Sequence, residues 1–139
     1  MANPGAILAI DHGTRRTGFA ATDENRILAS PLGAYAGTGD GEGLLDHITA
    51  LLEDRRVTTF LVGLPLNMDG SSGPRAEEAK AFAKRLRTCF PTIEVLHQDE
   101  RLSTKEAESL LAEAGHFGEE RKTRRDSWSA LVILRDYLG

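Results

Sequence analysis

The sequence predicts one α/β domain spanning residues 1–139: a mixed five-stranded sheet, in the order β-β-β-α-β-α-β-α-α, with helices on both faces. Three observations carry this prediction. Three short apolar segments follow one another closely near the start, separated by polar turns, as in an antiparallel meander. Two later strand-like segments are each reached through an amphipathic helical stretch, the usual route to a parallel neighbour. Finally, 139 residues with 40% hydrophobic and 27% charged side chains describe a globular chain. At that size about two thirds of the unfolded surface becomes buried, enough for a real core.

Ala6–Asp11 is an apolar run that ends in Asp-His-Gly, a buried strand followed by a turn. Thr17–Thr22 and Arg26–Ser30 read as the next two strands, parted by Asp23, Glu24 and Asn25. The stretch from Gly37 to Gly43 holds four glycines and serves as a connection. Leu44, Leu45, Ile48, Leu51 and Leu52 then form one stripe of an amphipathic helix. Val57–Gly63 is β-branched and nearly all apolar, as suits a central strand covered on both sides. After the loop Leu64–Gly73, Pro74 opens a helix whose inner stripe is Ala79, Phe82, Ala83 and Leu86. Thr92–His97 is the fifth strand. Ser103 and Glu106 form a capping box for a helix with Ala107, Leu110, Leu111 and Ala114 inside, ended by Gly115. The last helix starts near Asp126 and runs to Leu138, with Trp128 and Tyr137 expected to pack on the sheet.

Several function classes drop out at this level. No apolar run approaches the roughly 20 residues that span a bilayer. Met1–Ile10 lacks the basic start of a signal peptide, so a cytoplasmic location without membrane contact is expected. A lone Cys89 builds no disulfide framework and reads as a small packing residue. His12, His47, His97 and His116 are scattered, without the spacing of a zinc helix; only His12, beside Asp11, is placed to touch a substrate. The net charge of −4 exerts no global pull on polyanions. Its distribution is uneven, however, because Arg121, Lys122, Arg124 and Arg125 crowd immediately before Asp126. Such a patch binds phosphate backbones in a salt-sensitive way, although a solvated positive loop is the plainer reading.

In sheets of this kind ligands gather at the carboxyl ends of the parallel strands. Three acids lie there: Asp11 ends the first strand, Glu100 follows the last, and Asp126 opens the final helix. Each has an ordinary explanation taken singly, as a turn acceptor, an ion-pair partner of Arg101 and a helix cap, respectively. Together they repel by about 4 kcal/mol per pair at 4 Å and an effective dielectric of 20. Cations relieve that repulsion, and all-oxygen ligands select hard ions, Mg²⁺ or Mn²⁺. Two such ions would activate water and stabilise the leaving oxygen of a phosphodiester. The loop from Gly63 to Arg75 adds candidate phosphate donors in Asn67, Ser71, Ser72 and Arg75, at the start of a helix.

Four motifs make the chain similar to a known family. D-H-G-T-R-R-T-G (Asp11–Gly18), V-G-L-P-L-N-M-D-G-S (Val62–Ser71), D-E-R-L-S-T (Asp99–Thr104) and D-S-W-S-A (Asp126–Ala130) resemble, in order and spacing, those of the YqgF family, also called RuvX. The resemblance implies a ribonuclease H-like fold and a nuclease that matures the 5′ end of pre-16S rRNA. The alternative substrate is branched DNA, as for a Holliday junction resolvase. It also implies a catalytic and metal-binding triad of Asp11, Glu100 and Asp126, holding two Mg²⁺ or Mn²⁺ ions. Arg15 and Arg16 fall on the family's basic pair, and Arg101 joins the expected nucleic-acid contacts. Thr17 stands where an aliphatic residue is usual, and Trp128 where a small one is common.

Two other classes compete. D-x-G-T before a hairpin also resembles the phosphate loop of sugar kinases and actin, but that architecture clamps nucleotide between two lobes and 139 residues make one. A non-catalytic RNA-binding assembly factor would keep the fold and the arginines while making no chemical use of the acids. Either a monomer or a homodimer is compatible with the main reading.

Overall fold

The computed structural model describes residues 3–100 and 127–139. Five strands, β1 (Ala6–Asp11), β2 (Arg16–Thr22), β3 (Ala29–Ala36), β4 (Val57–Leu64) and β5 (Glu94–Asp99), form one sheet in the order β3-β2-β1-β4-β5. The first three are joined antiparallel, whereas β4 and β5 run parallel to β1. Helices α1 (Glu42–Glu53) and α2 (Pro74–Cys89) precede β4 and β5, and α3 (Trp128–Leu138) ends the chain. The mixed α/β sheet predicted from sequence is therefore present. The capping-box helix from Ser103 lies outside the described residues, as do Arg101, Arg121, Lys122, Arg124, Arg125 and Asp126.

Strand alternation sorts the central residues into two cores. Leu8, Ile10, Phe60 and Val62 point to one side, where they meet Ile48 of α1 and Phe82 and Leu86 of α2. Ile7, Ala9 and Leu61 point to the other, against Trp128, Leu131 and Ile133 of α3. The apolar runs Ala6–Ile10 of β1 and Phe60–Gly63 of β4 follow from this double coverage, since both faces of the strands are buried there. Trp128 is buried as expected. Tyr137 is not: it is exposed near the end of α3.

The third strand begins later than its apolar pattern suggests. Asp23 accepts the backbone N–H groups of both Ile27 and Leu28 through Oδ1, at 2.8 and 2.7 Å, and this turns them into a loop. Arg26 adopts a positive φ of 59°, and its guanidinium donates to the Gly5 carbonyl and to the Thr58 and Thr59 hydroxyls. Ile27 and Leu28 are consequently exposed, and pairing with β2 starts at Ala29. Pro31 and Gly33 sit inside the strand. An edge strand tolerates them, and the ladder is irregular opposite Gly18–Ala20, with Gly33 at φ 81°. The fifth strand also starts two residues later than expected, at Glu94, and extends to Asp99.

Candidate active site

Alternation also decides which way the site residues face. Asp11 continues the parity of Ile7 and Ala9, so its carboxylate lies on the α3 side of the sheet. Gly63 shares that side with Leu61 on β4. On β5, Leu96 belongs to the same face, and so do Gln98 and Glu100 two and four residues further on. The Glu100 amide donates to the Leu64 carbonyl at 3.1 Å, which extends the parallel ladder by one step and fixes the residue beside β4.

Gly63 makes room for the Glu100 carboxylate. A Cβ there would stand 2.0 Å from Glu100 Oε2 and 2.6 Å from the Ile133 methyl group. The carboxylate is thus seated over bare backbone, roofed by α3. Burial pushes the Glu100 carboxyl up to about 8; the charges of Asp11 and Asp99 push the same way and that of Arg75 opposes them. Asp11 is also raised by burial, against lowering contributions from Arg75, a hydrogen bond with the Ser129 side chain, and His12. A carboxyl whose ionisation is opposed both by burial and by a neighbouring carboxylate marks a charge problem that folding alone does not solve.

The structure thus brings together two of the three expected acids. Among the described residues no group of three or more His, Cys, Asp or Glu side chains is poised to hold a metal; Asp126 lies outside those residues. Sequence reasoning missed Ser129 and the role of Gly63. A glycine inside a β-branched strand is the signal that would have found the latter.

Neighbouring backbone is tightly built. Gly13 closes the β1–β2 turn, where a Cβ would meet the Arg16 carbonyl at 2.2 Å, and its amide points to the Thr17 hydroxyl at 3.4 Å. Buried Thr17 therefore uses the hydroxyl that an aliphatic residue lacks. Arg15 and Arg16 are exposed in this turn, at the carboxyl end of β1. Ser127, fully buried, uses one hydroxyl to accept the Gly33 N–H and to donate to the Gly33 carbonyl, tying the start of α3 to β3.

The loop after β4 has internal bonds of its own. Asn67 donates to the Ser71 hydroxyl at 3.0 Å, Ser71 donates from amide and hydroxyl to Asp69, and Ser72 bonds Glu77 and Lys80. These polar side chains brace the loop against itself. Arg75, by contrast, is exposed at the start of α2, and its charge reaches both Asp11 and Glu100.

A family model described as RuvX: Holliday junction resolvase matches residues 5–139. The chain belongs to the RuvX family. A RuvX relative from Roseiflexus sp. (strain RS-1), named "Putative pre-16S rRNA nuclease", is 38% identical over 135 residues, covering 97% of this chain and 94% of its own. Its namesake from Sodalis glossinidius (strain morsitans) is 42% identical over 138 residues, covering 99% and 96%. Among solved structures, the Fowlpox virus resolvase in complex with Holliday junction DNA superposes with a TM-score of 0.60 at 8% identity, covering 96% of each chain. T. thermophilus RuvC bound to a Holliday junction gives 0.53 at 11% identity, also over 96% of each. At such identities the likeness is one of fold, and it places this RuvX chain among the ribonuclease H-like architectures.

Proposed function

We propose that this RuvX chain is a divalent-metal-dependent nuclease that cleaves RNA phosphodiester bonds, acting at the 5′ end of pre-16S rRNA. The observation that carries the reading is the pairing of Asp11 and Glu100 on one sheet face, with Glu100 seated in the space that Gly63 leaves open. The names of the curated relatives support the substrate. The donor set fits Mg²⁺ or Mn²⁺, because its side-chain ligands are carboxylate oxygens and the seat for Glu100 is already built. Asp11, Glu100 and Asp126 would hold the ions, two in number. When bound, such ions lower the pKa of a coordinated water and neutralise charge on the leaving oxygen.

The protein's own residues do the rest. Glu100 keeps its proton near neutrality while the cleft is without cations and gives it up when positive charge enters. Ser129 orients the Asp11 carboxylate. Arg75 balances part of the negative field and offers a guanidinium to a phosphate oxygen. Arg15 and Arg16 extend that positive rim, and Arg101, Arg121, Lys122, Arg124 and Arg125 guide the strand toward the acids. Asn67, Ser71 and Ser72 shape the loop beside this path. Cytoplasmic action fits this role; no described helix is long and apolar enough to cross a membrane.

The test offers purified protein and Mn²⁺ a precursor 16S rRNA fragment, an unstructured RNA and a four-way DNA junction side by side. Cleavage of the precursor, lost in Asp11→Asn, Glu100→Gln and Asp126→Asn, is the expected result. Preferential cutting of the junction moves the substrate to branched DNA, where a solution mass showing a dimer would match two symmetric cuts. Tight RNA binding without cleavage, unaltered in the three variants, identifies an assembly factor instead.

A further inference from the structure

Behind the acids, on the other side of the sheet, lies a cleft of about 420 Å³. Strand alternation turns His12 away from Asp11, so its ring lies on the α2 side and stacks on Phe82 with centroids 4.3 Å apart and planes 17° from parallel. His12 Nε2 bonds the Gly39 carbonyl at 2.7 Å, and because a carbonyl only accepts, that nitrogen carries the proton. One wall is the β3–α1 connection with Thr38, Gly39 and Asp40, the other the α2 residues Glu78, Ala81 and Arg85, and Thr14 lines the side toward the β1–β2 turn.

These walls are tied together. The Gly39 amide donates to the Thr14 carbonyl at 3.1 Å, and the Gly37 amide to that of Arg15 at 3.0 Å. Gly39 is packed so closely that a Cβ would meet the Gly13 carbonyl at 2.3 Å and His12 Nε2 at 2.6 Å. Arg85 joins the two walls by donating to the Asp40 carbonyl and to Glu42, the latter at 2.7 Å. The cleft is therefore preformed, and the one cationic side chain that lines it among the described residues, Arg85, is already engaged.

What remains to meet a ligand is acceptor-rich: the carboxylates of Asp40 and Glu78 and the hydroxyls of Thr14 and Thr38. Such a lining repels phosphate and favours a neutral ring bearing N–H donors. Resting on the nuclease reading above, we infer that this cleft receives a base of the substrate strand close to the scissile phosphate. Guanine fits best, because its N1–H and N2–H₂ are adjacent donors that match the two oxygens of one carboxylate. The turn from Gly13 to Arg16 borders both: Asp11 ends the strand that leads into it, its Thr14 lines the cleft, and Arg15 and Arg16 are exposed on it. A strand crossing that turn leaves its phosphate with the acids and its neighbouring base in the cleft.

Ala81 is exposed on α2, so Ala81→Trp fills the cleft without entering the core. In mixed-sequence RNA with Mn²⁺, the wild type should cut with guanine enriched at one fixed offset from the break. Inosine, which lacks the N2 amine, should lower cleavage there by about tenfold, the scale of one bidentate base contact. Ala81→Trp and Glu78→Gln should erase the enrichment while leaving cleavage of guanine-free RNA unchanged. No base preference at any offset, or a preference indifferent to Ala81→Trp, overturns the inference. A second arm adds guanosine monophosphate or uridine monophosphate to metal-free protein and follows the Gly39 amide by NMR. If no RNA is cut, guanosine-selective shifts lost in Ala81→Trp keep the base site while the nuclease reading falls; absence of shifts removes both. Free nucleotide binding accompanied by cutting without base preference overturns the strand path and leaves a nucleotide site.

Discussion

Replacing Glu100 by Gln should stabilise the metal-free protein at alkaline pH and leave it nearly unchanged at acid pH. The carboxyl titrates near 4.5 ordinarily and near 8 when folded. Below 4.5 both states carry the proton, and Glu100 contributes no pH dependence. Between 4.5 and 8 the unfolded chain has lost the proton that the folded chain retains, so stability falls as pH rises; above 8 the loss is complete. At 1.36 kcal/mol per pH unit the full loss is about 5 kcal/mol. Gln mimics the neutral acid and removes this slope. With a urea dependence of about 2 kcal/mol per molar, the midpoints of variant and wild type should differ by about 2 M at pH 8.5 and converge near pH 5. Far-UV circular dichroism in urea with a chelator present measures both. Parallel pH curves for the two proteins, or a variant less stable at pH 8.5, would refute the claim that burial and Asp11 hold this carboxyl neutral. Millimolar Mn²⁺ should reverse the order, stabilising the wild type and not Glu100→Gln.

Other predictions concern the frame around the acids. Gly63→Ala should abolish metal-dependent cleavage while costing only about 1–3 kcal/mol in stability, because the new Cβ displaces the end of the flexible Glu100 side chain; activity assays beside a denaturation curve separate the two effects. Ser127→Ala should cost about 2 kcal/mol, since it strips both hydroxyl bonds from Gly33, and a thermal melt should drop by about 7 °C. Replacing Arg121, Lys122, Arg124 and Arg125 together by Ala should lower the logarithmic salt slope of RNA binding by up to about 3, at roughly 0.7 per phosphate contact. Titrations from about 50 to 300 mM salt check this, and equal slopes would leave the basic run a solvated loop.

Sheet order and helix placement were legible because burial imposes a pattern: β1 and β4, covered on both faces, are apolar along nearly all of their length. The acids were legible for a related reason, since topology alone carries Asp11 and Glu100 to the same sheet end. Local competition between side chain and backbone was harder to read. Ile27 and Leu28 look like strand residues, yet one aspartate captures both of their amides and leaves them exposed. Asn67, Ser71 and Ser72 look like phosphate donors, yet they bond within the loop or to the helix behind it. Ser129 carried no signal, because a serine near a helix start is ordinary whatever it touches. His12 was placed near Asp11 by adjacency, whereas the pleat sends the two side chains to opposite faces.

That divergence makes the length of β1 as constrained as its composition. Deleting or inserting one residue in the strand would exchange the faces of everything beyond it, moving the carboxylate into the His12 cleft and the imidazole under α3. Such a change conserves every functional residue and still dismantles both chambers. Substitutions, by contrast, act on one chamber at a time, because the sheet itself is the partition. Substitution can therefore retune the α2 side while the acidic side stays fixed, provided that the count of residues between Ala6 and Gly13 is kept.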